Sequence, residues 1–353
     1  MTSAPLGDGP GDGPGDGPGG DALPPLALTM GEPAGIGGEI TLKAWLGGGV
    51  PPFFLLDDPD RVAALARALS WDVPVRAVDS PDQVRGLFAR ALPVLPVALP
   101  APVTPGRPDT ANAPAVLAAL QRAVDLTLAG AAAAVVTNPI QKKTLYDAGF
   151  PFPGHTEYLA HLCDGSAAPV MMLVCDGLRT VPVTVHQALA AAIAGLTAAR
   201  IVDTAATVDA ALRRDLGIAA PRLVVAGLNP HAGEEGALGG EDAAIVAPAV
   251  AALRARGIDA DGPRPADTLF HPRARETYDA AICMYHDQAL IPIKTLDFDG
   301  GVNVTLGLPI VRTSPDHGTA LDMAGTGRAH ATSLAAALRL AAAMAARRAA
   351  ADA

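Results

Sequence analysis

Residues 279–330 read DAAICMYHDQALIPIKTLDFDGGVNVTLGLPIVRTSPDHGTALDMAGTGRAH. This stretch begins with an apolar segment, Ala280 to Tyr285, that predicts a short buried strand. His286, Asp287 and Gln288 follow where that strand is expected to end. In open α/β folds, ligands bind at the carboxyl ends of strands. Polar side chains crowded at this position therefore favour a binding site over a purely structural role.

The same stretch carries further polar residues beyond this triplet. Lys294 comes next, Asn303 lies in a glycine-flanked strand pattern, and Arg312 stands at the predicted end of another strand. Fixed cations suit a phosphate or a carboxylate, and the planar fork of arginine suits two-point binding. Any one of them is more often an ordinary surface charge. Their placement at strand ends, among glycines and apolar residues, favours binding.

The remainder of the chain alternates strand patterns with helix patterns. Strands are predicted at residues 25–30, 53–56, 93–97, 132–137 and 222–227. Helices are predicted from after residue 39 to about 46 and at 60–69, 110–128, 197–216, 242–256 and 331–349. This alternation predicts an α/β fold with a doubly wound, largely parallel sheet. Residues 169–186, with the turn Asp176 and Gly177, instead predict a β-hairpin ending in His186.

A hairpin embedded in alternating α/β structure predicts two lobes. We expect a first lobe at residues 25–138 plus 306–353, on the nucleotide side, and a second lobe at residues 139–305, with an active-site cleft between them. Residues 1–24 contain a repeated GDGP unit that is too poor in apolar residues to fold, and they predict a disordered tail. Residues 31–39, GEPAGIGGE, predict either an anion-binding turn at a helix start or a tight turn without a ligand.

Composition limits the classes of function. Half of the 353 residues are hydrophobic and 18% are charged, which is typical of a folded soluble protein. The net charge of −10 argues against nucleic acid or an anionic membrane as a partner, and an anionic substrate would need a locally basic pocket. No apolar run predicts a membrane span, and the start predicts no signal peptide. Three scattered cysteines predict buried thiols in a reducing cytoplasm.

Three histidines each follow a predicted strand: His186, His231 and His286. Neutral imidazoles that converge from separate strands bind zinc-class divalent ions and leave coordination positions open for a substrate. A single histidine at such a place more often caps its strand by a hydrogen bond. Three histidines at equivalent places, each after a predicted strand, favour a metal site.

Gly154, His155 and Thr156 stand at a predicted helix start. An imidazole, a hydroxyl and free backbone N–H groups at that position suit an anion. The alternative is that Thr156 caps the helix, which does not exclude a binding site.

Several motifs together resemble one family, the 4-hydroxythreonine-4-phosphate dehydrogenases of vitamin B6 synthesis. They run in order over nearly the whole chain from residue 25 onward: GEPAGIGGE (31–39), VTNPI with two lysines (136–143), GHTE (154–157), NPHAGE (229–234), MYHDQALIPIK (284–294) and GVNVTLGLPIVRTSPDHGTALDMAGTGRA (301–329). The GDGP tail departs from the family pattern.

The resemblance implies an isocitrate/isopropylmalate dehydrogenase-like fold and a homodimer with its active site at the subunit interface. It implies one divalent metal (Zn²⁺, Mg²⁺ or Co²⁺) on three histidines, the last supplied by the other subunit. The metal ligands implied are His186, His231 and His286. The substrate-binding residues implied are His155, Thr156, Lys294, Asn303 and Arg312. The residues implied for NAD(P)+ are His317, Gly318, Thr319 and Asp322.

The implied reaction is oxidation of 4-phosphooxy-L-threonine at its C3 hydroxyl, followed by loss of CO2 from the 3-oxo acid. Asp287 or Lys294 is expected to move the hydroxyl proton, and the sequence does not choose between them. Other activities are a dehydrogenase for 4-phospho-D-threonate or 4-phospho-D-erythronate, and, from another class, a phosphate acyltransferase. A non-catalytic nucleotide- or metal-binding regulator is the remaining alternative.

Overall fold

The computed structural model describes residues 23–152, 154–165 and 168–352, so the predicted tail falls almost entirely outside the described residues. Within them, twelve strands form one continuous sheet. The strands are β1 Leu26–Thr29, β2 Phe53–Asp57, β3 Val75–Ala77, β4 Leu92–Pro96, β5 Val135–Thr137, β6 Val170–Cys175, β7 Leu178–Pro182, β8 Arg222–Ala226, β9 Asp259–Arg264, β10 Ala280–Cys283, β11 Val302–Leu306 and β12 Arg312–Pro315. The α/β class and the largely parallel sheet are confirmed.

The sheet reverses its strand direction near its middle. Its order is β3-β4-β2-β1-β5-β12-β11-β6-β7-β10-β8-β9. The six strands from β3 to β12 are mutually parallel, and so are the four strands from β7 to β9. The antiparallel pairs β12–β11, β11–β6 and β6–β7 join these two halves. Carboxyl ends of the two halves therefore point in opposite directions along the sheet.

Helices cover both faces of the sheet. They are α1 Gly37–Gly47, α2 Pro59–Ala68, α3 Val84–Phe88, α4 Ala113–Leu128, α5 Lys142–Asp147, α6 His155–Leu162, α7 Leu189–Ala194, α8 Ala198–Arg214, α9 Ala247–Ala255, α10 Pro272–Arg275, α11 His286–Leu296 and α12 Thr332–Asp352. A first face, with Leu28 and Phe53, packs against α1, α2, α8, α9 and α12. The second face packs against α4 and α6 in one half and against α11 in the other. Helix α11 also packs on β6, and β12 and β11 lie between the two sets of helices on the second face.

Local sequence signals explain several helix ends. Asp58 precedes α2 with an extended backbone, and its carboxylate accepts hydrogen bonds from the N–H groups of Asp60 and Arg61. Thr197 caps α8 as predicted, because its hydroxyl accepts a hydrogen bond from the N–H of Arg200. The hairpin is also as predicted, with β6 and β7 antiparallel on either side of Asp176 and Gly177.

Some local predictions were wrong. Strands β3 and β9 were not predicted, because β3 has three residues and β9, DADGPR, lacks the apolar alternation of a strand. Arg312 begins β12 rather than ending a strand, and Lys294 lies in the last turn of α11 rather than at a strand end. The boundary between β12 and β11 coincides with the expected lobe boundary at residue 306, and the division into two lobes stays a prediction.

Among the described residues, no helix combines the length and the apolar character that crossing a membrane requires. The three cysteines, Cys163, Cys175 and Cys283, are free and buried, as predicted.

Gly31 joins β1 to the turn that precedes α1, and it has no room for a side chain. Its φ is 67°, and an added Cβ would lie 2.5 Å from the carbonyl oxygen of Pro139 and 2.8 Å from Cβ of Asn138. We expect Gly31→Ala to lower the free energy of unfolding by about 2–4 kcal/mol, since both the left-handed backbone and the contact oppose a side chain. Urea denaturation measures this change.

Gly47 provides a matched control for this substitution. It ends α1, and an added Cβ there would meet no atom within 4 Å. Gly47→Ala is expected to change the free energy of unfolding by less than about 1 kcal/mol. Equal stabilities of the two variants would contradict the contact at Gly31.

Candidate functional site

A polar cavity with a volume of about 470 Å³ lies on the second face of the middle strands. Its floor is formed by residues of β5, β12, β11 and β6. Arg312, Ser314, Asn303 and Leu173 share this floor because Asn303 pairs with both Ser314 and Leu173, and alternate residues of a strand face the same side. Thr313 faces the opposite side and bonds to α12. The site therefore lies on a sheet face, and not only at strand ends as predicted.

Arg312 is a buried cation in this floor, with 4% of its surface exposed. Its guanidinium donates hydrogen bonds to the hydroxyls of Thr305, at 2.9 Å, and Thr137, at 2.6 Å, while Nε has no partner. No salt bridge joins it to any acidic residue that the structure describes. Burial lowers its pKa to about 10, so it stays protonated at neutral pH. An unpaired buried cation is costly, which points to an anionic ligand.

The N-terminus of α6 forms one wall of the cavity through Gly154, His155 and Thr156. No side chain of a described residue caps this helix, so the expectation that Thr156 caps it was wrong. Burial, and next the charges of Arg312 and Lys142, hold the pKa of His155 well below its ordinary value. His155 is therefore a neutral imidazole between two cations, beside a helix end that favours anions.

Lys294 and Asp287 are both engaged by neighbouring residues. The ammonium of Lys294 lies 2.7 Å from a carboxylate oxygen of Asp316 and donates to the Asp316 carbonyl at 2.8 Å. Asp316 lines the cavity, whereas Lys294 stands behind it. The carboxylate of Asp287 lies 2.7 Å from Nδ1 of His286. This contact orients the His286 ring and leaves its Nε2 for another ligand.

The three histidines follow neighbouring parallel strands. β7, β10 and β8 are adjacent, and His186, His286 and His231 come four, three and five residues after them. The rings of His186 and His286 lie 5.9 Å apart and both line the cavity. Burial, then the charges of Lys142 and His286, lower the pKa of His186, which favours its neutral form. His231 is exposed on a separate turn, and no three metal-ligating side chains of the described chain form a cluster.

The turn that carries His231 has an unusual backbone. Residues 231–235 all have positive φ, from 42° to 82°, and four of these five are not glycine. Each such residue costs about 1–2 kcal/mol. The buried carboxylate of Asp242 anchors the turn by accepting from the N–H groups of Leu228, at 2.7 Å, and Asn229, at 3.0 Å. Strain that the surrounding structure maintains is typical of functional segments.

The segment expected to bind NAD(P)+ is only partly at the cavity. His317 and Gly318 line it, and the buried Nε2 of His317 has no partner. Thr319 instead packs on the glycine turn, where its carbonyl accepts a hydrogen bond from the N–H of Ile36 at 3.1 Å. Asp322 is exposed and does not line the cavity.

The glycine turn at residues 31–38 acts as a support for this segment. The N–H groups of Ala34 and Gly35 bond to Glu32, so these donors are not available to an anion. Glu39, fully buried in α1, accepts from the N–H groups of Gly325 and Ala329 at 3.1 Å each. Of the two interpretations of this turn, the structure favours the one without a ligand.

Sequence reasoning missed other cavity residues. Lys142, Glu157 and Arg200 line the cavity, as does Asn138, whose buried Oδ1 has no partner. A usable signal for Lys142 was its position just after the predicted strand that ends in VTNP. Arg200, in the first turn of α8, is brought to the cavity only by the tertiary structure. Together with Arg312, these cations supply the locally basic pocket that an anionic substrate needs in an acidic protein.

Sequence comparison finds close relatives. A model of the family described as pyridoxal phosphate biosynthetic protein PdxA matches residues 51–341. A curated 4-hydroxythreonine-4-phosphate dehydrogenase from Methylorubrum populi is 59% identical over 326 residues, covering 90% of this chain and 93% of the relative. A relative of the same name from Caulobacter vibrioides is 54% identical over 331 residues, which cover 92% of this chain and 98% of the relative.

Structural comparison agrees with this. The crystal structure of 4-hydroxythreonine-4-phosphate dehydrogenase from Klebsiella pneumoniae has a TM-score of 0.82 at 38% identity, covering 92% of this chain and 98% of that one. A terephthalate 1,2-cis-dihydrodiol dehydrogenase from Burkholderia xenovorans has a TM-score of 0.62 at 31% identity, with coverages of 91% and 98%. A branched-chain phosphotransacylase from Enterococcus faecalis has a TM-score of 0.53 at 12% identity, and the match covers 90% of this chain and 99% of that one. This protein is similar in fold alone.

The lowered pKa of His155 predicts a pH dependence of stability. In the unfolded chain a histidine has a pKa of about 6.5. As the pH falls from 7.5 to 5.5, His155 binds a proton in the unfolded chain but stays neutral in the folded protein. The free energy of unfolding therefore decreases. We expect the free energy of unfolding of His155→Gln to depend less steeply on pH. The difference in slope should correspond to at most about one bound proton.

Urea denaturation at pH 7.5, 6.5 and 5.5 measures this slope. His330, which is exposed and does not line the cavity, provides the control substitution His330→Gln. A slope in His155→Gln equal to that of the unsubstituted protein would show that His155 is not held neutral by the fold.

Proposed function

Because this chain belongs to the family of pyridoxal phosphate biosynthetic protein PdxA, we propose that it is a 4-hydroxythreonine-4-phosphate dehydrogenase that acts in vitamin B6 synthesis. The observation that carries the proposal is Arg312, buried in the floor of a cavity that also holds two imidazoles, with no carboxylate partner among the described residues. Such a cavity suits a substrate with an anionic group at one end and a hydroxyl to be activated at the other.

The reaction is oxidation of 4-phosphooxy-L-threonine at C3. The C3 hydroxyl loses a proton, its carbon loses a hydride to NAD(P)+, and the product is 2-amino-3-oxo-4-(phosphooxy)butanoate with NAD(P)H. This β-keto acid then loses CO2 to give 3-amino-2-oxopropyl phosphate. The protein's own task is to bind the phosphorylated end, fix the hydroxyl near the histidines and exclude water from the reacting carbon.

Five residues are proposed to bind the substrate: His155, Thr156, Lys294, Asn303 and Arg312. Arg312 and the N-terminus of α6 suit the phosphate, since the first offers a planar fork and the second offers free N–H groups. Asn303 lies on the same floor as Arg312. Lys294 is proposed to act on the substrate through Asp316, a cavity residue with which it forms a salt bridge. Asp287 and Lys294 are the two candidates to move the hydroxyl proton, and each is engaged by a neighbour, His286 and Asp316 respectively.

The residues present fit a divalent metal. His186 is favoured in its neutral form, and Asp287 holds the His286 ring so that Nε2 is free to coordinate, as in many metal sites. We propose that His186, His231 and His286 hold one divalent ion (Zn²⁺, Mg²⁺ or Co²⁺). When bound, such an ion lowers the pKa of the substrate hydroxyl.

A nicotinamide cofactor fits beside the same cavity. Because the buried Nε2 of His317 has no partner and Gly318 has open space around it, this segment offers polar atoms and close approach to a ligand. We propose that His317, Gly318, Thr319 and Asp322 contact NAD(P)+, which accepts the hydride from C3. In this arrangement Thr319 acts mainly through its packing on the glycine turn.

A homodimer is proposed to complete the site. Ile291, Leu296 and Phe298, in α11 and just beyond it, expose 62%, 43% and 73% of their surfaces. A second copy packed on this face would cover them and would stand next to His286, which opens the same helix. The resemblance implied that His286 comes from the other subunit, but within one chain its ring lies 5.9 Å from that of His186. We therefore propose instead that assembly brings His231 to this pair. Free buried cysteines suit the cytoplasm, where we place the enzyme.

A dehydrogenase assay tests the proposed function. We expect reduction of NAD+ or NADP+ with 4-phosphooxy-L-threonine in the presence of a divalent ion, measured by absorbance at the nicotinamide band, with release of CO2. Parallel assays with 4-phospho-D-threonate and 4-phospho-D-erythronate provide the comparison. Activity on these aldonates alone, or acyl transfer to phosphate without a nicotinamide, would contradict the proposed substrate or class.

His231→Ala tests the metal set. We expect the variant to lose turnover and bound divalent ion while its circular dichroism and thermal midpoint stay close to those of the unsubstituted protein, because His231 is exposed. Metal content by elemental analysis and turnover are measured on the same preparation. His271→Ala, at an exposed histidine outside the cavity, is the control. Full metal content in His231→Ala would remove His231 from the site.

A further inference from the structure

We propose that Lys142 is a second phosphate-binding cation, which acts with Arg312 on the phosphate of the substrate. This inference rests on the proposed function, since it names a further residue for the same phosphorylated substrate. Lys142 begins α5 and lines the cavity, yet it is exposed, and no hydrogen bond or ion pair joins its ammonium to any residue that the structure describes.

The position of the ammonium supports this role. Nζ of Lys142 lies 3.5 Å from the point where a Cβ on Gly154 would be, so the absence of a side chain at Gly154 leaves room for it. Gly154 precedes the first residue of α6, and its neighbours His155 and Thr156 line the same cavity. Lys142 therefore stands at the helix N-terminus whose N–H groups face the cavity.

Lys142, Arg312 and His155 all line the cavity. Burial, and next the charges of Arg312 and Lys142, lower the pKa of His155 and keep its imidazole neutral. Two cations that flank a neutral histidine at a helix N-terminus create a local excess of positive charge. The same region contains one acid, Glu157 in the first turn of α6, whose Oε2 lies 3.3 Å from the point where a Cβ on Gly154 would be. Arg200, the other cavity cation, is engaged by the carbonyls of Gly195 and Val183.

Charge balance indicates why one cation is not sufficient. A phosphate monoester carries about −1.5 to −2 charges at neutral pH. Arg312 supplies one positive charge and already uses two of its donors on threonine hydroxyls. A second cation with free donors would match the charge of the dianion. Lys142 offers three N–H donors on a flexible stem, which can adjust to a phosphate that Arg312 and α6 hold in place.

Lys143 is a matched control within the same helix. Its side chain is 79% exposed, and its ammonium binds the carboxylate of Asp147 at 2.8 Å, away from the cavity. A substitution at Lys143 removes the same charge from the same short helix without touching the proposed phosphate site.

The test uses inorganic phosphate as the probe, by isothermal titration of the full-length protein. Lys142→Met is expected to weaken phosphate binding by about tenfold to a hundredfold, as for a hydrogen bond to a charged group. Lys142→Arg should retain most of the affinity, and Lys143→Met should bind phosphate as the unsubstituted protein does. Thermal midpoints of all variants should agree, because both lysines are exposed.

A second measurement assigns the loss to the phosphate group. KM for 4-phosphooxy-L-threonine should rise in Lys142→Met by the same factor as the phosphate Kd, while binding of unphosphorylated 4-hydroxy-L-threonine should not change. Unchanged phosphate affinity in Lys142→Met, or an equal loss for the unphosphorylated amino acid, would overturn the proposal. Phosphate binding through Lys142 without oxidation of 4-phosphooxy-L-threonine would instead contradict the proposed function alone.

Discussion

Arg312 is the constraint on which the arrangement of the site depends. A guanidinium buried without a carboxylate is unfavourable unless neutral acceptors and a ligand compensate for its lost hydration. Hydroxyls from Thr137 on β5 and Thr305 on β11 supply two of those acceptors. The three strands β5, β12 and β11 must therefore be adjacent for Arg312 to stay in place. Arg312, with Lys142 and Arg200, gives the cavity above them its positive charge. Since the protein carries a net charge of −10, such local concentration of cations is what allows an anionic substrate to bind.

The reversal of strand direction explains how distant segments meet at this cavity. Parallel strands gather the residues that follow them at one edge, which brings His186 next to His286 after β7 and β10. The antiparallel strands in the middle place Asn303 and Arg312 on one floor of the cavity. The cavity thus combines the imidazoles of His186 and His286 with the cations Arg312 and Lys142. That combination suits a molecule that carries both a hydroxyl and a phosphate.

Several predictions from the sequence agree with the structure because their signals are local. Buried strands, the Asp-Gly hairpin and the Thr197 cap each depend on residues close in the chain. Lys294 was placed wrongly, because a short apolar run does not distinguish a strand from a buried helix, and LIPIK continues α11. The engagement of Asp287 by His286 was also not foreseen, since side-chain hydrogen bonds depend on rotamers that sequence spacing does not fix. Lys142 follows a predicted strand in the sequence, but its proximity to Gly154 is decided by the tertiary structure.

The sequence by itself determined the α/β class, the order of most elements and the set of residue types available for chemistry. Periodicity and turn residues carry this information over a few residues at a time. Only the tertiary structure decided which face of the sheet carries the cavity, which cation remains unpaired and which two of three histidines meet within one chain. These features depend on strand register and helix packing between segments more than a hundred residues apart, as for Arg312 and Thr137. Residues far apart in the chain leave no spacing pattern, so their contacts are determined by packing alone.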